Sequence, residues 1–138
     1  MTHHEHPDAA LVRRGYEAFS SGDTETLRSL MTSDCAHHSP GSSRMSGHFK
    51  GVDNILAHFG QLMELTGGTF KVDVKGIYPD GRGHVMAVHR WRGDRMGGDH
   101  GIEMDGGLFF TIVGGKVTDV DECVADIEES DAFWGPAE

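Results

Sequence analysis

His84 to Arg92, HVMAVHRWR, decides how the rest of the chain is read, because its residues alternate with the period of a β-strand. Successive strand side chains point to opposite faces, so Val85, Ala87, His89 and Trp91 share one side, and His84, Met86, Val88, Arg90 and Arg92 share the other. The first set is apolar apart from one titratable imidazole. That is the pattern of a pocket wall, and the flanking segments are candidates for the rest of a cup.

Downstream, the glycine-rich stretch 93–101 (GDRMGGDHG) reads as a loop, a candidate lid over a pocket mouth. A further strand is expected from Ile102 to Val113, with Ile102, Met104, Leu108, Phe110 and Ile112 on one face. Gly114-Gly115 makes a hairpin turn into a last strand, KVTDVDECVAD, and IEESDAFW reads as a short helical tail. Upstream, Phe70, Val72 and Val74 alternate with Lys71, Asp73 and Lys75 in a strand that the turn Pro79-Asp80-Gly81 closes. Before Thr69 the period is 3.6 rather than 2. VDNILAHFGQLMEL carries Val52, Ile55, Leu56, Phe59, Leu62 and Met63 along one stripe, a helix that must cover a sheet.

In the first third, Asp8 is placed as the N-cap of a helix bearing Leu11, Val12, Tyr16 and Phe19, and Asp23 as the cap of a second, TETLRSLM. DCAHHS, Asp34 to Ser39, reads as a short strand ended by Pro40-Gly41, with His37 and His38 on opposite faces. SSRMSGHFKG reads as a loop. Helix, helix, strand, helix and four strands make an α+β domain: three helices from the N-terminal half on a curved, mostly antiparallel sheet. A cavity between the layers then suits a small apolar molecule.

The 138 residues suffice for one domain, taken as 8–138 behind a polar tail at 1–7. No apolar run reaches the roughly 20 residues that cross a bilayer, so no membrane partner is expected. MTHHEHPD lacks the features of a secretory signal, which makes the cytoplasm the default location. A formal charge of −10 argues against a nucleic-acid partner. Cys35 and Cys123 are read as reduced thiols.

Taken together, YEAFSSGDTETLRSLMTSD, HHSPG, SGHFKGVDNILAHFGQLMELTGGTF, VGGKVTDV and the closing DAFW resemble the SnoaL-like branch of the nuclear-transport-factor-2-like superfamily, over nearly the whole chain. The resemblance implies a conical α+β barrel with a deep apolar pocket, usually dimeric, here through the outer sheet face. The superfamily includes polyketide cyclases, ketosteroid isomerase, scytalone dehydratase and limonene epoxide hydrolase, together with non-enzymatic binding modules. Two of its mechanisms do not transfer. Where ketosteroid isomerases hold their catalytic Asp, this chain has Ser39, and their second acid falls near Gly106 to Leu108. The Arg and Asp of the epoxide hydrolases align with Arg90 and Arg92, without the Asp.

Histidine remains as the chemical group. His89, with His37 or His38, is the candidate general acid or base for an isomerase, cyclase, lyase or hydrolase, oriented by Glu122 or Asp126. Tyr16, Phe59, Met63, Trp91, Met104, Leu108 and Phe110 are the expected pocket lining, with Tyr16 also placed to stabilise an oxyanion. The alternatives are a core His89 bonded to a carbonyl or to Tyr16, and a binding module without catalysis. Two histidines and a carboxylate would also suit zinc or non-haem iron, but adjacent strand histidines diverge, and the reading adopted has neither metal nor cofactor.

Overall fold

The computed structural model describes residues 4–97 and 101–137. Three helices and two strands precede a four-strand meander: α1 (Pro7–Ser21), α2 (Thr24–Leu30), β1 (Met31–Ser39), β2 (Gly47–Lys50), α3 (Val52–Leu65), β3 (Lys71–Pro79), β4 (His84–Asp94), β5 (Gly101–Val113), β6 (Lys116–Val124) and α4 (Ile127–Trp134). The strands form one sheet in the order β2-β1-β6-β5-β4-β3. Among the described residues only the β1–β6 junction is parallel; the other four pairings of the sheet are antiparallel. This is the α+β architecture that the alternation of periods predicts. No helix among the described residues is long and apolar enough to cross a membrane.

Register shifts interrupt three of the pairings, between Val74 and Gly76 in β3, between Thr111 and Ile112 in β5, and between Met31 and Ala36 in β1. Such irregularities bend the strands and add local twist, so the sheet curves. Packed on the sheet are α1, against β3 and β4, and α3, against β1 and β2. The face of β4 read as a pocket wall is inward: Val85 and Ala87 have no exposure, His89 7 % and Trp91 4 %. Leu11, Val12, Tyr16 and Ile55 meet that face in the main core. A second cluster, around Met45, Leu62, Phe70, Trp91, Met104, Phe133 and Trp134, fills the end of the cup near α4.

Several boundaries differ from the sequence reading, among them the last strand, which ends at Val124 rather than Asp126. α1 starts at Pro7, and its N-cap is His6, whose Nδ1 accepts a hydrogen bond from the Asp8 N–H at 3.1 Å. Proline suits the first helical position, where its missing N–H costs nothing, and that moves the cap back from Asp8. β1 begins at Met31, because its opening residues lie alongside β6 rather than continuing α2. Within the expected loop, Gly47–Lys50 is a strand, too short to show a period but held at the sheet edge by pairing with Ala36 to Ser39. Of the proposed lid, Gly93 and Asp94 belong to β4 and Gly101 to β5, while 98–100 lie outside the described residues. Asp23 caps α2 as expected, accepting from the Thr26 N–H at 3.1 Å.

Candidate active site

A cavity of about 140 Å³ lies between the inward sheet face and the helices. Its titratable side chains come from five elements. Alternation along β1 turns His37 and Ser39 inward and His38 outward. The same rule on β6 turns Val120 and Glu122 inward, and β4 contributes His89. Tyr16 comes from α1 and His58 from α3. In the sheet, Leu108 of β5 pairs with Glu122 and Gly106 pairs with His89, so the carboxylate and the imidazole sit diagonally across β5.

Glu122 is the hub. Its Oε1 accepts from His37 Nε2 at 3.2 Å and from the Ser39 hydroxyl at 3.4 Å, and Ser39 Oγ lies 3.3 Å from His58 Nε2. Because Ser39 gives its proton to the carboxylate, His58 Nε2–H is the donor to Ser39. His58 Nδ1 then holds a buried lone pair with no partner among the described residues. Its ring stacks on Phe49 at a centroid distance of 4.0 Å. Burial pushes Glu122 upward, but the hydrogen bond from His37 and the electrostatic influence of the neighbouring imidazole rings, His37 first, outweigh it, and the carboxyl ends below its ordinary value. The side chain is 29 % accessible and lines the cavity, so an ionised carboxylate faces apolar walls. Burial, reinforced by the neighbouring His37 ring, lowers His58 to about 4, and Glu122 opposes this only in part. His58 is therefore neutral at neutral pH.

The second unit is Tyr16 and His89, joined between Oη and Nδ1 at 2.7 Å. Burial, with the negative charge of Glu122, pushes the Tyr16 phenol well above its usual range, so it stays protonated. Burial also lowers His89, against the pull of Glu122. A neutral imidazole that accepts the Tyr16 proton at Nδ1 carries its own proton on Nε2. That Nε2–H lies over Gly106: a Cβ there would stand 3.2 Å from His89 Nε2, 3.4 Å from Trp91 Cδ1 and 2.7 Å from the Cys123 carbonyl. Any side chain at 106 would clash with the Cys123 carbonyl and press on the imidazole.

Aromatic rings line the cavity as well. Trp91 stacks on Trp134 of α4 (6.0 Å, 8°), and Phe70 lies against both. α4 is tied in place by polar bonds from two directions. Asp131 accepts from the Ser42 N–H at 3.0 Å and from its hydroxyl at 3.1 Å, and Arg95 donates to the carbonyls of Phe133 and Trp134.

Of the expected site residues, the structure brings together His89, His37, Glu122, Tyr16, Phe59, Trp91, Leu108 and Phe110. It settles the choice between the neighbouring histidines for His37. His38 is exposed on the outer face, its ring 6.0 Å from His48, because consecutive strand residues diverge. Asp126 is not beside His89; it is the N-cap of α4, accepting from the Glu129 N–H at 3.0 Å. Met63 and Met104 pack in the second apolar cluster rather than on the cavity. Ser39 and His58 were missed. Ser39 shares the inward set with His37 two residues earlier, and His58 falls between Ile55 and Leu62 on the buried stripe of α3, so periodicity held the signal for both. Among the described residues no three His, Cys, Asp or Glu side chains are placed to hold a metal ion.

A curved sheet wrapped on helices around a polar-tipped apolar cavity defines a nuclear-transport-factor-2-like fold. Residues 12–120 match the SnoaL-like domain family, and the chain belongs to that family. It is 32 % identical to an uncharacterised protein of Mycobacterium tuberculosis over 127 residues, 92 % of this chain and 95 % of that one. Among solved structures it is similar to Bal32a, from a soil-derived mobile gene cassette (TM-score 0.89, 36 % identity, 94 % of this chain and 97 % of that one). A cystatin-like-fold protein of unknown function from Xanthomonas campestris is also similar (TM-score 0.85, 27 % identity, 93 % and 98 % covered). An NTF2-like protein of Burkholderia pseudomallei shares the fold alone (TM-score 0.83, 14 % identity, 94 % and 98 % covered).

Proposed function

We propose that this SnoaL-like protein is a cofactor-independent enzyme that moves a proton on the carbon skeleton of a small apolar carbonyl compound. Glu122 is the base. It takes a proton from the carbon next to the carbonyl, and the released electron pair moves onto the carbonyl oxygen as an enolate. The His89 Nε2–H, oriented by Tyr16, donates to that oxygen. Returning the proton to another carbon gives an isomer; attack of the enolate carbon on a second carbonyl closes a ring, and the alkoxide so formed takes back the proton from Glu122, so neither needs a redox partner. A positioned base contributes on the order of 10² to 10⁴-fold and one oxyanion donor about 10² to 10³-fold. The observation that carries this reading is the ionised Glu122, held by His37 and facing an apolar cavity beside a neutral His89–Tyr16 pair.

The test is solvent-deuterium exchange at the α-carbon of small ketones and β-dicarbonyls, followed by NMR. The wild type should accelerate exchange, and Glu122→Gln should lose at least about 10² of that acceleration. Equal rates would refute the assignment. A non-catalytic ligand carrier would show binding in both proteins and acceleration in neither.

We further propose that the protein is a homodimer through the outer sheet face. Tyr78 (55 % exposed), Met86 (50 %) and Phe109 (42 %) stand side by side in one register row across β3, β4 and β5, a contiguous apolar strip of the kind that interfaces cover. Met86→Lys should halve the mass measured by sedimentation equilibrium, and an unchanged mass would reject this surface. Two free cysteines, Cys123 exposed, suit a reducing compartment, and the cytoplasm is the location we assign.

A further inference from the structure

We infer that His38 and His48, on the outer face of the sheet, form a site for a late first-row divalent cation such as Zn²⁺, Ni²⁺ or Cu²⁺. The two residues stand directly opposite each other in the antiparallel β1–β2 pairing. The Gly51 N–H donates to the Cys35 carbonyl at 2.7 Å, which makes 35 and 51 a hydrogen-bonded pair. Pair types alternate along an antiparallel ladder, so His38 and His48, three steps on, form a non-hydrogen-bonded pair, the kind whose side chains stand closer, with Cα atoms about 4.5 Å apart. Both residues are exposed, and among the described residues neither ring has a hydrogen-bond or ion-pair partner. Both imidazoles are therefore free to turn a nitrogen toward a common point.

The ring centroids are 6.0 Å apart, with the planes tilted by 52°. A metal bound to an imidazole nitrogen at about 2.0 to 2.1 Å lies about 3 Å from the ring centre, so two rings on a tetrahedral ion have their centres about 5 Å apart. A small rotation of two unrestrained side chains closes the difference. Imidazole nitrogen favours Zn²⁺, Ni²⁺ and Cu²⁺ over Mg²⁺ and Ca²⁺, which take oxygen ligands, and water fills the positions the protein leaves open. Asp121, exposed on β6, lies opposite His38 on its other side and adds negative charge; Lys50, two residues from His48, works against it.

This site is separate from the cavity and from the apolar strip. His48, His38, Asp121, Phe109, Met86 and Tyr78 form one register row across all six strands. Two strand spacings, about 10 Å, divide His38 from Phe109, so the ion takes no part of the surface assigned to the dimer. A bound ion would clip β2, an edge strand, to β1. Phe49, the next residue of β2, carries the ring that stacks on His58, so a clip outside the sheet also steadies a contact inside it.

The test is a Zn²⁺ titration of the ¹⁵N-labelled chain, followed through the histidine ring signals in long-range ¹H–¹⁵N spectra, which read each imidazole separately and so distinguish this pair from His3, His4 and His6 near the N-terminus. The His38 and His48 signals should move together along one binding curve, and Mg²⁺ should move neither. In His48→Ala the His38 curve should shift to Zn²⁺ concentrations on the order of 10- to 100-fold higher, because a single imidazole loses the effective concentration of its neighbour. The reciprocal His38→Ala, read at His48, should show the same shift, and amide spectra unchanged outside β1 and β2 would show that both variants are folded. Met86→Lys should leave the curve where it is. Separate curves for the two rings, an unshifted curve in either alanine variant, an equal response to Mg²⁺, or loss of binding in Met86→Lys would each overturn the inference.

Discussion

Acid should destabilise this protein through His58 before it touches the carboxylates. The ring lies buried in α3, stacked on Phe49, and its folded-state pKa is about 4 against an ordinary value of 6.5. The sign follows from which state binds the proton. Between pH 6.5 and 4 the unfolded chain binds a proton at residue 58 that the folded chain refuses, so stability is complete above 6.5 and falls as the pH drops toward 4. The full difference of 2.5 units, 6.5 minus 4, corresponds to about 3 kcal/mol, and about 2 kcal/mol of it is already lost at pH 5. For a domain whose whole stability is typically about 5 to 15 kcal/mol, that is a large fraction. Glu122 acts in another window: its carboxyl is lowered, so its contribution is intact at pH 5 and disappears only as the pH falls through its folded value. His89 is lowered in the same direction as His58, so the wild-type slope contains both. The measurement is therefore a difference. Urea unfolding of the wild type and of His58→Gln, whose side-chain N–H can still reach Ser39, should be compared at pH 8 and pH 5. The wild type should lose about 2 kcal/mol more than the variant over that interval. Equal losses would mean that His58 titrates normally and that the polar network around Ser39 is wrong.

Three other outcomes follow from the same geometry. Gly106→Ala places a Cβ 2.7 Å from the Cys123 carbonyl and 3.2 Å from His89 Nε2; it should cost about 1 to 3 kcal/mol in chemical denaturation and shift the His89 ring signals in NMR spectra, whereas wild-type-like spectra would contradict the packing described. Tyr16→Phe removes the 2.7 Å bond and leaves His89 Nδ1 buried without its donor, so about 1 to 3 kcal/mol of stability should be lost and the His89 proton should redistribute between the two ring nitrogens, which ¹⁵N imidazole shifts report directly. Asp131→Ala cuts the bonds from Ser42 to α4; hydrogen exchange of the α4 amides should quicken while that of the β4 and β5 amides stays unchanged, and uniform exchange would show that α4 does not open on its own.

Local rules were enough for a large part of this protein. Alternation along HVMAVHRWR placed His89 and Trp91 inward and Met86 outward, and the 3.6-residue stripe bounded α3 at Val52 and Leu65, since side-chain direction follows from backbone period alone. The same rule required that only one of His37 and His38 could reach the interior. Which one was not legible, because that depends on the parallel pairing of β1 with β6, made across more than eighty residues, which sets His37 against Val120 and lets its ring reach Glu122. The four-residue β2 has no period to read, and only the β1 edge makes it a strand. His58 looked like one polar interruption in an apolar helix until Ser39 and Phe49 were brought to it. Glu122 owes its lowered carboxyl first to the hydrogen bond from His37, a residue that only the β1–β6 pairing brings to it. The chain's own pattern determined the elements, their inward faces and the family; pairing between distant segments decided which ionisable groups share a low-dielectric space, because electrostatic coupling depends on distance and burial, and neither is a property of sequence neighbours.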